Sequence, residues 1–341
     1  MAAAVASPGD RLSSLSDDIL VHILSFAPSR EAASATALSR RWRRPLWLRT
    51  GAVNLVYRSY ATGGDRRRVV DDADHAYACL CSTGRGPRKL SVVMRDDAIT
   101  CLACDNEDDE HDDEDSAGLQ EDDSEDPRLE WLNNGGLPRC TLPFAVLRVL
   151  ELTGYDLKPY ADGRRKLAFP CLEAMRLRRC HTELATLRDM ISAAPRLADI
   201  RLESLIFVDY DYVYELSCEA ATVIVIENCR TQHHDLHYGG CHVRLDAPQL
   251  LHLRYAHTMV MDDHLQASFS FGWAARPEEL QHLHFEVHSA AAYLWRSILS
   301  DLPYVRSLKL IELLHYPSKP KVRTDGKGLG NIFIFNTPPH V

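Results

Sequence analysis

The side chains best able to do chemistry in this chain are cysteines and histidines in two groups. His75, Cys79 and Cys81 lie upstream of a Cys101-x-x-Cys104 pair. Zinc needs four convergent ligands, and a C-x-C pair beside a single C-x-x-C pair lacks the spacing of a zinc module. Cys229, His233, His234, His237, Cys241 and His242 form the second group, whose spacing matches no zinc module and reads as a polar loop. There is no GxSxG elbow, HExxH pair or phosphate loop. The Gly-rich DGKGLG at 325–330 lacks the Lys-Ser/Thr that would hold a phosphate and a metal. The residues therefore predict a non-catalytic chain, with no metal site and no cofactor.

The chemistry that remains is binding. Beyond residue 140 an apolar residue is followed by others three and five positions later, seven times over. The sets are Leu147, Leu150, Leu152; Leu172, Met175, Leu177; Leu197, Ile200, Leu202; Ala221, Ile224, Ile226; Leu250, Leu253, Tyr255; Leu280, Leu283, Phe285; and Val305, Leu308, Leu310. Positions three and five share one face of a strand, and the residue between them points outward. That outward row reads Glu151, Arg176, Arg201, Val225, Arg254, His284 and Lys309. Stacked side by side, Arg176, Arg201, Arg254, His284 and Lys309 would form a basic stripe suited to an acidic or phosphorylated target. The competing expectation is that these cations pair with Glu173, Asp199, Glu203 and Glu227 nearby.

The elements that must carry this row follow from the repeat. Starts recur every 24 to 30 residues, within or near the period of stacked strand repeats that bury a shared core. Pro170, Pro195, Pro248 and Pro303 precede four of the starts by two residues and favour extended entry. Between strands, HTELATLRDMISAAP predicts a helix capped by Thr182 with Leu184, Leu187 and Ile191 on one face, and SAAAYLWRSILSDLP a second with Leu294 and Ile298. AVNLVY at 52–57 and RKLSVVM at 88–94 could begin the same sheet. The last 25 residues leave the repeat and contain an apolar IFIF patch.

Ahead of the repeats, residues 10–47 read DRLSSLSDDILVHILSFAPSREAASATALSRRWRRPLW, three short helical patterns. Ser16 is placed to cap the first, Asp17 and Asp18 favour its dipole, and Ile19, Leu20, Ile23 and Leu24 make its apolar stripe. Pro28 stops it, Ser29 can cap a second helix reaching Leu38, and Pro45 marks the junction before Leu46 and Trp47. Arg40, Arg41, Arg43 and Arg44 read as a solvated flank, with a nucleic-acid patch as the alternative.

This segment resembles an F-box, the adaptor-docking module of cullin-RING ubiquitin ligases, and SRRWR followed by LW is similar to the plant form. The resemblance implies that Leu15, Ile19, Leu20, Ile23, Leu24, Leu38 and Trp42 form the adaptor face or the small core beneath it. Leu15, Ser16 and Asp17 stand where members usually have Leu-Pro-Asp. With its repeats, the chain is similar to plant F-box/leucine-rich-repeat proteins. The implied fold is α/β: a three-helix F-box, then an irregular leucine-rich-repeat solenoid with parallel strands on the concave face and helices or loops on the convex face. The implied function is substrate recognition in an SCF-type ligase. The partners would be a Skp-family adaptor, through it a cullin, and an unidentified target protein. The rival is a repeat scaffold outside any ligase, its docking weakened at Ser16.

Composition agrees with a folded chain, at 45% hydrophobic and 26% charged. No apolar run suits a membrane span or an export signal, so a cytoplasmic or nuclear location is expected, with reduced thiols. The net charge of −9 resides in one segment, because residues 105–126 hold 14 carboxylates and no Lys or Arg. Such a run repels itself and should stay disordered, as a spacer or as a tethered competitor for the basic stripe. The expected layout is a disordered 1–9, an F-box at 10–48, a linker that could hold the first irregular repeats at 49–104, the acidic insertion at 105–126, repeats at 127–316 and a tail at 317–341.

Overall fold

The computed structural model describes residues 14–38, 46–58, 63–84, 86–95, 144–157, 168–208, 213–231, 242–257, 270–275, 277, 279–288, 305–313 and 331–336. The chain divides into two compact units, residues 1–130 with 138–143 and residues 131–137 with 144–341.

In the first unit, α1 (Asp17–Leu24) begins at Ser16, whose Oγ accepts from the Ile19 amide at 3.4 Å, with Asp17 and Asp18 in the first turn. That is the expected cap. The helix ends at Leu24, ahead of Pro28, which occupies the N-cap of α2 (Ser29–Ser34); the chain continues as a 3-10 turn over Ala35–Ala37. Ser29 does not cap α2. Its buried Oγ accepts from the Asn54 amide at 2.9 Å instead. Following α3 (Leu46–Thr50), with Leu46 and Trp47 buried, comes β1 (Ala52–Arg58). The Asn54 side chain, also buried, donates to the Ser25 carbonyl at 2.9 Å and the Ala27 carbonyl at 2.8 Å. One asparagine thus satisfies the carbonyls left open between α1 and α2.

β1 pairs in parallel with β2 (Lys89–Arg95), from Ala52 opposite Lys89 to Arg58 opposite Arg95. Parallel neighbours need a long crossover. It is provided by α4 (Gly63–Ser82), which packs on β1 and buries Val70, Ala73, Ala76 and Leu80. The two strands match the expected pieces, whereas α4 escaped the sequence reading, because alanines and one leucine make a faint stripe among charged residues. Gly51, at φ +63°, turns the chain into β1 and its carbonyl accepts from the Arg88 amide at 2.7 Å.

The second unit is a solenoid. Its main sheet stacks β3 (Val149–Thr153), β5 (Ala174–Arg178), β7 (Asp199–Glu203), β10 (Val223–Glu227), β13 (His252–His257), β15 (His282–His288) and β16 (Ser307–Leu313) in parallel. The expected inward positions of the first six repeats are all buried. Two further inward positions follow, eight and ten residues after each of the first four starts: Tyr155, Cys180, Leu205 and Cys229, then Leu157, Thr182, Phe207 and Thr231. The latter sit in two-residue strands β4 (Asp156–Leu157), β6 (His181–Thr182), β8 (Ile206–Phe207) and β11 (Arg230–Thr231), which form a second parallel sheet. Between the two sheets Gly154, Arg179, Ser204 and Asn228 take φ values of +52° to +68°. Their amides donate to Arg178, Glu203, Glu227 and Ala256 of the next coil, at 2.6–2.9 Å.

Turns close each coil where the prolines occur. The amides of Leu172, Leu197 and Leu250 donate to the carbonyls of Phe169, Ala194 and Ala247. Pro170, Pro195 and Pro248 therefore stand second in a four-residue turn, which their fixed φ suits, rather than leading an extended entry. Pro303 lies outside the described residues. On the convex side, α5 (Leu184–Ser192) buries Leu184, Leu187 and Ile191 as expected. Its N-cap is Glu183, not Thr182, whose hydroxyl sits in β6 and donates to the Glu183 carbonyl. Later coils replace the helix with β9 (Val213–Ser217), β12 (His242–Asp246) and β14 (Ser270–Ala275), a third parallel sheet. Alternating burial of Leu216, Val243 and Leu245 accounts for strands there. The helix expected over SAAAYLWRSILSDLP falls outside the described residues, as do residues 105–126. β17 (Asn331–Asn336) pairs antiparallel with β16 and ends the translation of parallel strands. The void inside the coils is about 10 Å³ and apolar, lined by Leu187, Ile200, Phe207 and Leu216 among others.

Asn54→Ala should lower the stability of the first unit by about 2 kcal/mol, since it strips two part-buried carbonyls of their donor. Urea denaturation followed by Trp fluorescence measures this, and an unchanged midpoint would contradict the role given to Asn54.

Candidate functional site

Two surfaces carry the residues singled out above. On α1 the apolar stripe splits: Leu20 and Leu24 are 1% and 8% exposed, whereas Ile19 and Ile23 are 48% and 45% exposed. Spacing explains the split, because four apolar residues over six positions span too wide an arc for one core to cover. Phe26 at 66% and Leu38 at 80% are also open. His22 meets the Phe26 ring edge-on at 5.1 Å, and Lys89 Nζ stands 5.3 Å over the same ring. Leu15 is half-buried. Arg49 of α3 reaches Asp18 at 3.2 Å and Asp17 at 3.8 Å, an exposed link between helices. Trp42 and the arginines around it lie outside the described residues.

The second surface is the concave sheet. Its register places Glu151, Arg176, Arg201, Val225, Arg254, His284 and Lys309 opposite one another in turn, the row expected from the repeat. The row is not uniformly basic in effect. Arg176 bonds Glu151 at 3.0 Å and lies 3.7 Å from Asp199; Arg201 holds Asp199 at 3.0 Å; Arg254 holds Glu227 at 2.8 Å. Beside the row, Arg178 bonds Glu203 at 2.6 Å, and that bond raises the arginine's pKa further. These pairs join residues of the same or neighbouring strands and are half-exposed, so each adds little stability. Their main effect is to cancel the charge of the first five coils.

The last coils differ. His252 and His282 stack at 4.6 Å between ring centroids with planes 4° apart. Burial and then the neighbouring His282 ring lower the pKa of His252. His284 is lowered by burial first, then by Lys309 and Arg254, with Glu286 opposing at 3.9 Å.

The cysteines resolve into structural roles. Cys180 donates to Leu152 and Arg178 carbonyls, and Cys229 to Leu202 and Glu227 carbonyls. Burial pushes the Cys180 thiol up to about 11 and those of Cys218 and Cys229 to about 12. Burial thus favours the protonated thiol, which is the unreactive form. Cys229 of the second Cys/His group is buried in the core; His233, His234, His237 and Cys241 lie outside the described residues. On α4, Cys79 Sγ sits 3.6 Å from His75 Nε2, and Cys101 and Cys104 are outside the described residues. Among the described residues no three His, Cys, Asp or Glu side chains converge as metal ligands, and no helix is long and apolar enough to cross a membrane. The cysteines at the eighth repeat position were missed in the sequence, although Cys180 and Cys229 each follow their repeat start by eight residues.

A depressed histidine pKa favours the neutral, folded form. Its contribution is complete above the unfolded value of about 6.5 and is lost as pH falls through the folded value. The second unit of the wild type should therefore lose more stability between pH 7 and pH 5 than His252→Gln does. Chemical denaturation at both pH values tests this, and parallel losses would refute it.

Comparisons with known proteins agree with this arrangement. A putative F-box/LRR-repeat protein of Arabidopsis thaliana is 54% identical over 39 residues, 11% of this chain and 7% of its own length. A putative FBD-associated F-box protein of the same plant is 46% identical over 54 residues, 16% of this chain and 28% of its own. A further Arabidopsis thaliana F-box/LRR-repeat protein is 59% identical over 91 residues, 26% of this chain and 20% of its own. The matched stretches thus span less than a third of each relative. No protein-family model matches the chain. No solved structure matches it either. In short stretches of sequence the chain is similar to the F-box/leucine-rich-repeat proteins of plants, and its own N-terminal helices are followed along the chain by a parallel-strand solenoid.

Proposed function

We propose that the chain is the substrate receptor of an SCF-type ubiquitin ligase. The N-terminal helices would dock a Skp-family adaptor and, through it, a cullin; the solenoid would hold the target protein. The observation that carries this is the split face of α1. Leu20 and Leu24 anchor the helix in its own core, while Ile19 and Ile23 leave an apolar strip facing outward. Exposed apolar side chains on one helix are a feature of docking surfaces. Ser16 keeps the helix start fixed through its cap, so a proline is not needed to define it. The chain's contribution to catalysis is proximity. A target lysine held beside a charged ubiquitin carrier reacts in an almost intramolecular way, and no acid, base or nucleophile is required from this protein.

Binding of a Skp-family adaptor to the full chain tests the reading. Ile19→Asp and Ile23→Asp should each weaken it about 30-fold or more, as at an interface hot spot, without lowering the melting temperature. Leu20→Ala should act differently, costing about 2–5 kcal/mol of stability because its side chain is buried. Absence of adaptor binding by the folded wild type would leave a repeat scaffold outside the ligase.

A further inference from the structure

In sequence His75, Cys79 and Cys81 form one group, and in the structure they separate. All three lie on α4, which is held against β1 through its buried Val70, Ala73, Ala76 and Leu80. Cys79 and Cys81 are two residues apart, about 200° around a helix, so the two thiols point to different sides. Cys81 hydrogen-bonds Tyr77 instead. His75 and Cys79 are four residues apart and meet on one side of the helix, with Cys79 Sγ 3.6 Å from His75 Nε2. His75 is exposed, Cys79 is half-buried, and the contact between them is open to solvent. Among the described residues no third ligand converges on the pair.

We propose that His75 and Cys79 form a two-residue zinc site on the outer side of α4. Distance carries the inference. Zinc bonds an imidazole nitrogen at about 2.0–2.1 Å and a thiolate sulfur at about 2.3 Å, and tetrahedral angles then set the two donors about 3.6 Å apart. The pair already stands at that separation on a helix anchored along its opposite side, so little ordering remains to be done when the ion binds. Donor chemistry selects the ion. Calcium and magnesium take oxygen donors and iron–sulfur clusters take thiolates throughout, whereas one imidazole with one thiolate suits zinc. Asp72 lies three residues before His75 on the same side of the helix, where a carboxylate can accept from the other ring nitrogen and make the binding nitrogen more basic. Binding exchanges a proton for the ion: the Sγ–H bond breaks, the proton passes to solvent, and the sulfur lone pair bonds the zinc. Two of the four coordination positions remain for water. The site belongs to the first unit and does not depend on the receptor reading.

The test is titration of the full chain, its thiols reduced, with cobalt(II) as a coloured stand-in for zinc. A cobalt–thiolate bond gives a near-ultraviolet charge-transfer band whose intensity counts the thiolates bound. The wild type should take up one ion through one thiolate, and added zinc should displace the cobalt and bleach the band. Cys79→Ser should remove the band. His75→Ala should weaken uptake by at least about tenfold, since loss of a mere outer-shell partner already costs that much. Cys81→Ser, which leaves both ligands in place, should bind like the wild type. Circular dichroism confirms that each variant is folded. A wild type that shows no band would mean that the contact is a hydrogen bond only, and the proposal would be overturned. It is equally overturned by a band that persists in Cys79→Ser, by an intensity of two or more thiolates, or by a His75→Ala variant that binds cobalt as tightly as the wild type.

Discussion

The solenoid depends on one repeated hydrogen bond. At the end of each of the first four main strands, a residue in the left-handed region turns the chain inward, and its amide is met by a carbonyl of the following coil. Gly154 adopts this conformation at no steric cost, but Arg179, Ser204 and Asn228 do so against a small intrinsic penalty. The coil-to-coil bond holds them there. With the corner fixed, the first and third residues that follow can drop the eighth and tenth side chains into the core. The strand before it is held in register with its neighbours. The corner bond adds to the strand ladders in fixing that register, since each coil touches only the coils next to it.

Register, in turn, decides what the concave surface can do. Because each strand is aligned residue for residue with the next, outward side chains fall into columns, and chemistry repeats or changes one coil at a time. In the early coils the columns alternate acids with arginines, and the surface is close to neutral. In the later ones histidines and a lysine take those places. The same backbone thus presents two chemically different regions in one continuous sheet. The N-terminal unit uses a different economy. It is too small to bury all of its apolar side chains, so α1 turns two of them inward and leaves two outside, while Asn54 joins the segment between α1 and α2 to β1.

Much of this was legible because strand alternation leaves a plain trace. The third and fifth positions of every repeat were recoverable from apolar spacing alone, and with them the outward row. Ser16 was legible as a cap because its partner lies three residues away. Ser29 and Thr182 were not: both have the right residue type for a cap, but the Ser29 hydroxyl is bound to the Asn54 amide 25 residues away, and Thr182 is held in β6 with its hydroxyl on the adjacent Glu183 carbonyl. Pairing of the row's arginines with Asp199 and Glu227 was among the expectations, but Glu151 as the partner of Arg176 was not, since it sits in the row itself on a neighbouring strand 25 residues away in sequence. The convex sheet was hidden because its alternation is short and weak. α4 was hidden because a helix packed through alanines hardly differs in pattern from a charged linker.

The column spacing has a geometric corollary. Neighbouring coils are about 4.8 Å apart, whereas an extended peptide advances about 3.3 Å per residue. A chain laid across the strands therefore drifts out of step with the coils and returns to phase after two coils and three of its own residues. The surface acts as a vernier: side chains of an extended peptide alternate between faces, so equivalent side chains meet equivalent points only after about four coils and six residues, and the spacing of features in a ligand matters as much as their kind.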